Sequence, residues 1–143
     1  FRINYAFSPD LTLEIYAEPF AASGKYLAFG ELPAAGSSGL AMYGSSPGSS
    51  IMRDEEAGLY TVQDARGSFA FADPDFNILS FRSNIVLRWE WMRGSTLFLV
   101  WQQDRYHYDP RGDIIGPVHL FESFDTPGAN FIALKLTYWI PVT

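Results

Sequence analysis

Glu14 and Glu18 are the two residues of this chain best spaced for paired acid–base chemistry. They stand four apart in a segment of alternating polarity, so a strand would set both carboxylates on one face, two pleats apart. A glycosidase uses two carboxyl groups in this way, one as acid and the other as base or nucleophile. The competing assignment, two wet carboxylates balanced by Arg82 and Arg88, needs no further feature and is preferred. Nothing else in the sequence supplies a nucleophile: there is no G-x-S-x-G elbow, and no Gly-rich phosphate loop leads from a strand into a helix. Cysteine is absent, which removes disulfides, thiolate metal ligands and thiol nucleophiles together. His107 and His119 share a stretch with Asp104, Asp109 and Asp113, but neither has a second histidine three or four residues away. The three aspartates do not follow the spacing of an EF-hand. No metal or cofactor is therefore expected, and the chain reads as non-enzymatic. Arg111-Gly112-Asp113 spells an adhesion-type tripeptide, too short to carry weight. Tyr43, Tyr60, Tyr106 and Tyr108 offer surfaces for stacking on sugar rings, a weak signal because loop tyrosines are common.

Composition narrows the setting. Hydrophobic residues make up 48% of the 143, aromatics 17% and charged residues only 18%. Soluble domains carry about a quarter charged residues, so this chain is greasy and under-charged. A net charge of -6 excludes a nucleic-acid partner, because phosphate binding needs a basic stripe. No apolar run is long enough for a membrane-spanning helix. Phe1-Arg2-Ile3-Asn4-Tyr5 lacks the initiator Met, basic head and apolar run of a signal peptide, and reads as mid-strand. The expectation is a piece of a longer polypeptide.

The elements that must position these residues are strands, because period two dominates. Five are predicted, over residues 1–7, 11–20, 79–91, 96–103 and 131–140, with long loops over 21–78 and 104–129. The strand at 96–103 is ambiguous, since Leu97 to Trp101 is apolar at every position. Within the first long loop, Leu59 to Val62 and Ser68 to Ala72 flank a turn and suggest a strand extension. Connections alternate short, long, short, long. Outer-membrane barrels show the same alternation, with short periplasmic turns and long extracellular loops.

Alternation also separates two faces. Arg2, Glu14, Glu18, Arg82, Arg88, Glu90 and Lys135 all fall on one face of their strands, and the opposite face of those strands carries no charge. The charged set is assigned to a polar lumen. A soluble β-sandwich that binds carbohydrate alternates in the same way and stands as the alternative. Aromatic placement favours the membrane: Phe7, Trp89, Trp91 and Tyr138 lie at the short-turn ends, and Phe1, Phe81 and Trp101 near the long-loop ends. Ile3, Leu13, Ile15, Ile85, Leu87, Leu134 and Leu136 lie between them. Two lipid interfaces select aromatic borders around an aliphatic middle.

Five strands cannot close a bacterial barrel, whose smallest members have about eight. The expected partners are therefore outer-membrane lipid and further barrel strands, from the preceding polypeptide or from other chains, with surface proteins or glycans beyond the loops. DPDFN at Asp73–Asn77, SFRSNIVLRWEW at Ser80–Trp91, GSTLFLVWQQ at Gly94–Gln103 and LKLTYW at Leu134–Trp139 resemble a bacterial family of unknown function. That family joins an N-terminal domain similar to carbohydrate-binding module family 9 to a C-terminal outer-membrane-type β-barrel region. The resemblance implies an all-β, antiparallel C-terminal barrel segment in the bacterial outer membrane, acting as pore, scaffold or surface anchor. The Gly/Ser-rich stretch from Ala34 to Ser50 lies outside the resemblance.

Overall fold

The computed structural model describes residues 1–111, 113 and 115–140, so the central residue of the Arg111-Gly112-Asp113 triplet lies outside the described residues. The protein is all-β and mostly antiparallel. Its strands are β1 (Arg2–Ser8), β2 (Leu11–Gly24), β3 (Gly30–Glu31), β4 (Ala41–Met42), β5 (Ser50–Asp54), β6 (Leu59–Asp64), β7 (Gly67–Ala72), β8 (Phe76–Met92), β9 (Ser95–Asp109) and β10 (Gly128–Thr137). A four-residue helix, α1 (His119–Glu122), runs into a 3-10 turn at Ser123–Asp125. Two compact units result. One holds Phe1–Ala22, Ile78–Tyr108 and the chain from Ile115 on; the other holds Ser23–Asn77 and the short stretch that begins at Asp109.

The first unit is a five-stranded sheet in the order β1-β2-β8-β9-β10. Among the described residues the sheet stays open: β1 and β10 form its two edges and no barrel closes. Ser8 turns the chain from β1 into β2, its Oγ accepting from the backbone N–H groups of Asp10 (3.2 Å) and Leu11 (3.0 Å). A bulge falls between Ala6 and Ser8. Gly94 turns the chain from β8 into β9 at φ +77°, a conformation that L side chains rarely adopt. There its N–H donates to Glu90 Oε1 at 3.2 Å.

Register settles the ambiguous strand. Directly opposed residues share a face, and β10 pairs with β9 without interruption from Gly128↔Arg105 to Thr137↔Thr96. Leu97, Leu99 and Trp101 therefore lie beside Leu136, Leu134 and Ile132, while Phe98, Val100 and Gln102 lie beside Lys135, Ala133 and Phe131. On the other side of the sheet, Ile3 faces Ile15 and Tyr5 faces Leu13, with Arg2, Asn4 and Ala6 opposite Tyr16, Glu14 and Thr12.

Strands β8 and β9 run further than expected. Residues Asp104 to Asp109 alternate without apolar members on one side, so they carry no hydrophobic signal, yet β9 continues through them. β10 starts at Gly128, three residues before Phe131. The predicted loop over 21–78 is also structured. It folds as the second unit, with β3 paired to β4 and a β5-β6-β7 sheet. Leu59 to Val62 and Ser68 to Ala72 do form strands, but β6 and β7 pair in a sheet of their own with β5 and do not extend the five-stranded sheet. Their turn is closed by Asp64 Oδ1 accepting from Arg66 N–H (2.7 Å) and Gly67 N–H (3.1 Å).

Very little of this chain is inside anything. Val62, Leu79 and Phe81 are the buried hydrophobic residues among those described. The accessible surface is 10499 Å² for 16.1 kDa. A compact monomer of that mass exposes about 7,400 Å², and even two separate bodies of half the mass would expose about 9,000 Å².

Gly94→Ala is expected to destabilise the first unit by about 1–3 kcal/mol, through left-handed backbone strain and a new Cβ 3.0 Å from Trp139 Cβ. Gly58, at φ +64° with no neighbour within 4 Å of its would-be Cβ, isolates the strain alone. Urea unfolding of both alanine variants should show the larger loss at Gly94. Equal losses would remove the Trp139 contact from the account.

Candidate functional site: two faces of one sheet

The charged face is a shallow polar trough. Arg2, Asn4, Glu14, Tyr16, Asn84 and Val86 line a concavity of about 250 Å³. A second one, about 370 Å³, adjoins it through Tyr16 and Asn84 and is lined further by Arg82, Gln102 and Asp104. The seven charges anticipated on this side do not form one network. Glu18 accepts from the Tyr16 hydroxyl. Arg82 approaches Asp104 Oδ1 at 3.6 Å. Arg88 pairs with Glu90 along its own strand at 3.0 Å. Lys135 sits with its Nζ 5.8 Å from the Phe98 ring centroid, a cation–π contact. The balance of Glu14 and Glu18 against Arg82 and Arg88 is thus replaced by more local partners. Such exposed pairs are worth about 0–1 kcal/mol each, so they set polarity rather than hold the sheet together. Four residues of strand separate Glu14 from Glu18 by about 13 Å, beyond the roughly 5–9.5 Å used in glycoside hydrolysis.

The opposite face is apolar and uncovered along most of its length. Leu134 and Leu136 are 68% and 64% exposed, and Trp89 47%. Its short-turn border is aromatic: Trp89 and Trp91 meet edge to face at 6.3 Å, and Tyr5 and Phe7 do so at 4.8 Å. Tyr138 is exposed, and the Trp139 N–H donates to the buried Ser95 Oγ at 3.1 Å. Of the four border aromatics named from sequence, Phe7, Trp89 and Trp91 lie near the ends of β1 and β8, while Tyr138 falls one residue past β10, which stops at Thr137 short of the expected Ile140.

The long-loop border of this face has a feature that sequence reasoning missed. Ser83 Oγ donates to Gln103 Oε1 (3.1 Å), Gln103 Nε2 donates to Asn130 Oδ1 (2.9 Å), and Trp101 Nε1 donates to the same oxygen (3.3 Å). This ladder crosses β8, β9 and β10 at one level and ends the aliphatic band. The available signal was polar residues at apolar-face parity on three strands, with Ser83 the first of them. Beyond the ladder, Phe81 is buried against Phe124 at 4.5 Å, so Phe81 is a packed residue and its place at the border is taken by others.

The second unit is organised by Arg53. Its guanidinium donates from Nε to Asp73 Oδ2 at 2.8 Å, with Nη2 2.6 Å from the same oxygen and 3.5 Å from Asp75 Oδ2. The Tyr60 ring lies 5.8 Å below it. Asp75 is 2% exposed, and its Oδ1 accepts the Tyr26 N–H at 2.8 Å. The Phe76 ring closes on Gly24, where a Cβ would come within 2.5 Å of it. The Asp73–Asn77 motif is therefore a structural clasp. Phe29, Tyr60 and Phe71 pack around it with centroids 4.7 to 5.4 Å apart. The hydrogen bond to Asp73 raises the Arg53 pKa, and burial raises that of Tyr60. A second node joins Glu31 to Tyr43 (3.2 Å) and to Arg66, which also reaches Asp64. Burial raises the Tyr43 pKa as well. Among the described residues no group of three or more His, Asp or Glu is arranged to hold a metal. His119 Nδ1 accepts the Gly116 N–H at 2.9 Å and helps close the turn before α1.

Arg53→Met should destabilise the second unit clearly, because it takes the cation from the buried carboxylate of Asp75. Arg66→Met, at a side chain that is 71% exposed, should cost much less. Limited proteolysis of the two variants reads the difference, and indistinguishable cleavage rates would remove Arg53 from its central place. Set against known proteins, the chain matches no family model, no curated protein and no solved structure.

Proposed function

We propose that this chain is a segment of a bacterial outer-membrane β-barrel, non-enzymatic, serving as pore, scaffold or surface anchor. The observation that carries the reading is the pairing of two unlike faces on one open sheet. The uncharged face leaves Ile132, Leu134 and Leu136 exposed in register with Leu97, Leu99 and Trp101. The reverse face carries Arg2, Glu14, Arg82 and Lys135 around a polar trough. Exposing that much aliphatic surface to water is unfavourable by about 25 cal/mol per Å², and hydrocarbon removes the penalty. The charged face then becomes the lumen, where water can reach it.

Three further features support the same reading. β2, β8 and β9, at 14, 17 and 15 residues, exceed the nine to eleven or so that a tilted strand needs to cross. The aliphatic band stops at aromatics on one side and at the Ser83–Gln103–Asn130 ladder on the other, where Trp101 finds its acceptor. The open backbone edges of β1 and β10 each cost several kcal/mol per unpaired group in lipid, so completing strands from the same polypeptide or other chains belong beside them. In this reading the short turns face the periplasm and the long connections face the cell exterior. A carbohydrate-binding sandwich requires a second layer over Leu134 and Leu136, and both side chains are bare.

Charge substitutions test the assignment by depth. Leu134→Arg should lower stability in lipid vesicles by about 2–4 kcal/mol, Tyr138→Arg by about 0–1 kcal/mol. A chain that stays monomeric without detergent, or that loses equal stability at both positions, contradicts the membrane reading.

A further inference from the structure

The segment around α1 has no role in the account above. It packs on the side of the sheet that carries the aliphatic band, at the level of Arg105, since Phe124 meets Phe81 edge-on and Phe81 has the parity of Ser83, Ile85 and Leu87. Two of its hydrogen bonds are local and one ties it to β9: Ser123 Oγ donates to Leu120 O at 2.6 Å, Thr126 Oγ1 to Ser123 O at 2.8 Å, and Arg105 Nη1 to Thr126 O at 2.9 Å. Ser123 and Thr126 are buried. Apart from Phe124, which meets Phe81, the apolar side chains are left uncovered. Phe121 is 71% exposed and Val118 68%, with Leu120 and Phe124 also exposed.

A loop that buries its hydroxyls and presents its hydrophobic residues is the reverse of one built for water. Continuity identifies what it meets. Phe81 lies two residues beyond Ser83 on β8, so the segment begins about one pleat past the polar ladder that ends the aliphatic band. It lies on the same side as that band, where a barrel has lipid and not lumen.

We infer that Val118–Phe124 is a lipid-interface foot, a short segment clamped to the outside of the sheet that seats Val118, Leu120 and Phe121 among the lipid headgroups. This inference rests on the barrel reading and adds to it a specific lipid contact made by a loop. Aromatic and aliphatic side chains on a surface-lying segment insert at about the depth where headgroups meet acyl chains. The foot also explains why Phe81, which occupies a border position, is covered by protein.

The lack of native cysteine makes a clean test available. Phe121→Cys and Leu134→Cys are each labelled with bimane in the chain reconstituted into phosphatidylcholine vesicles, with spin labels on the headgroup or near the acyl terminus. The expected result is that the headgroup label quenches Phe121→Cys by about half while the acyl-terminal label quenches Leu134→Cys by about as much. Val118→Cys repeats the measurement without altering the Phe121 ring. If Leu134→Cys is quenched while Phe121→Cys and Val118→Cys respond to neither label, the foot is overturned and the barrel reading stands. Deep quenching of Phe121→Cys overturns the interfacial depth. If no position responds, the barrel reading fails and takes the foot with it.

Discussion

A β-sheet has two faces and two edges, and each must meet surroundings that suit it. In this chain the faces differ sharply because the side-chain period is two and the registers preserve it across strands. The ten consecutive pairs of β9 and β10 keep Leu97, Leu99 and Trp101 on one side and Phe98, Val100 and Gln102 on the other. A slip of one residue would move Lys135 in among the leucines. The remaining architecture depends on that alignment. The polar trough, the aliphatic band, the aromatic border and the Ser83–Gln103–Asn130 ladder are each rows of residues that share a face only in this register.

The molecule therefore separates its sources of order. In the five-stranded sheet, backbone pairing and surroundings outweigh internal packing, since hardly any side chain there is buried. In the second unit, order comes from a few dense contacts: the Arg53 clasp, the Phe29–Tyr60–Phe71 cluster and the Glu31–Arg66 node. On the proposed membrane reading, a chain whose loops must stand in water has reason to be built in these two ways. Hydrocarbon contributes no hydrophobic drive between apolar surfaces, whereas water does.

The sheet was legible in the sequence because alternation reports directly on a strand with two different faces. Phe1 to Phe7, Leu11 to Phe20 and Phe131 to Thr137 announce themselves in this way, although the alternation runs on to Ile140 past the end of β10. The parity of Leu97 to Trp101 was not legible, because an all-apolar run has no phase; pairing with Leu134 and Leu136 supplies it. The end of β9 was hidden for the opposite reason, since Asp104 to Asp109 has no apolar residue on one side and only Tyr106 and Tyr108 on the other. Most of the second unit was invisible because its order rests on long-range partners. Arg53 finds Asp73 twenty residues on, and Tyr26 finds Asp75 forty-nine residues on, separations at which local pattern carries no information. The charged face was readable as a face, but its pairings were not, since parity says which residues are neighbours in space without saying which of them touch.

The clasp at Asp75 has a kinetic consequence. β2 and β8 lie side by side in the sheet although more than fifty residues intervene between Gly24 and Phe76. Bringing the ends of so long a flexible excursion together is opposed by about 3–4 kcal/mol of chain entropy. Here the excursion closes its own neck, with Phe76 lying on Gly24 and the Tyr26 N–H bound to Asp75. Once that neck forms, β2 and β8 emerge from it as adjacent strands, and their zippering becomes as local as that of a hairpin. A domain that looks like a decoration on the loop is thereby also the turn that lets the sheet form.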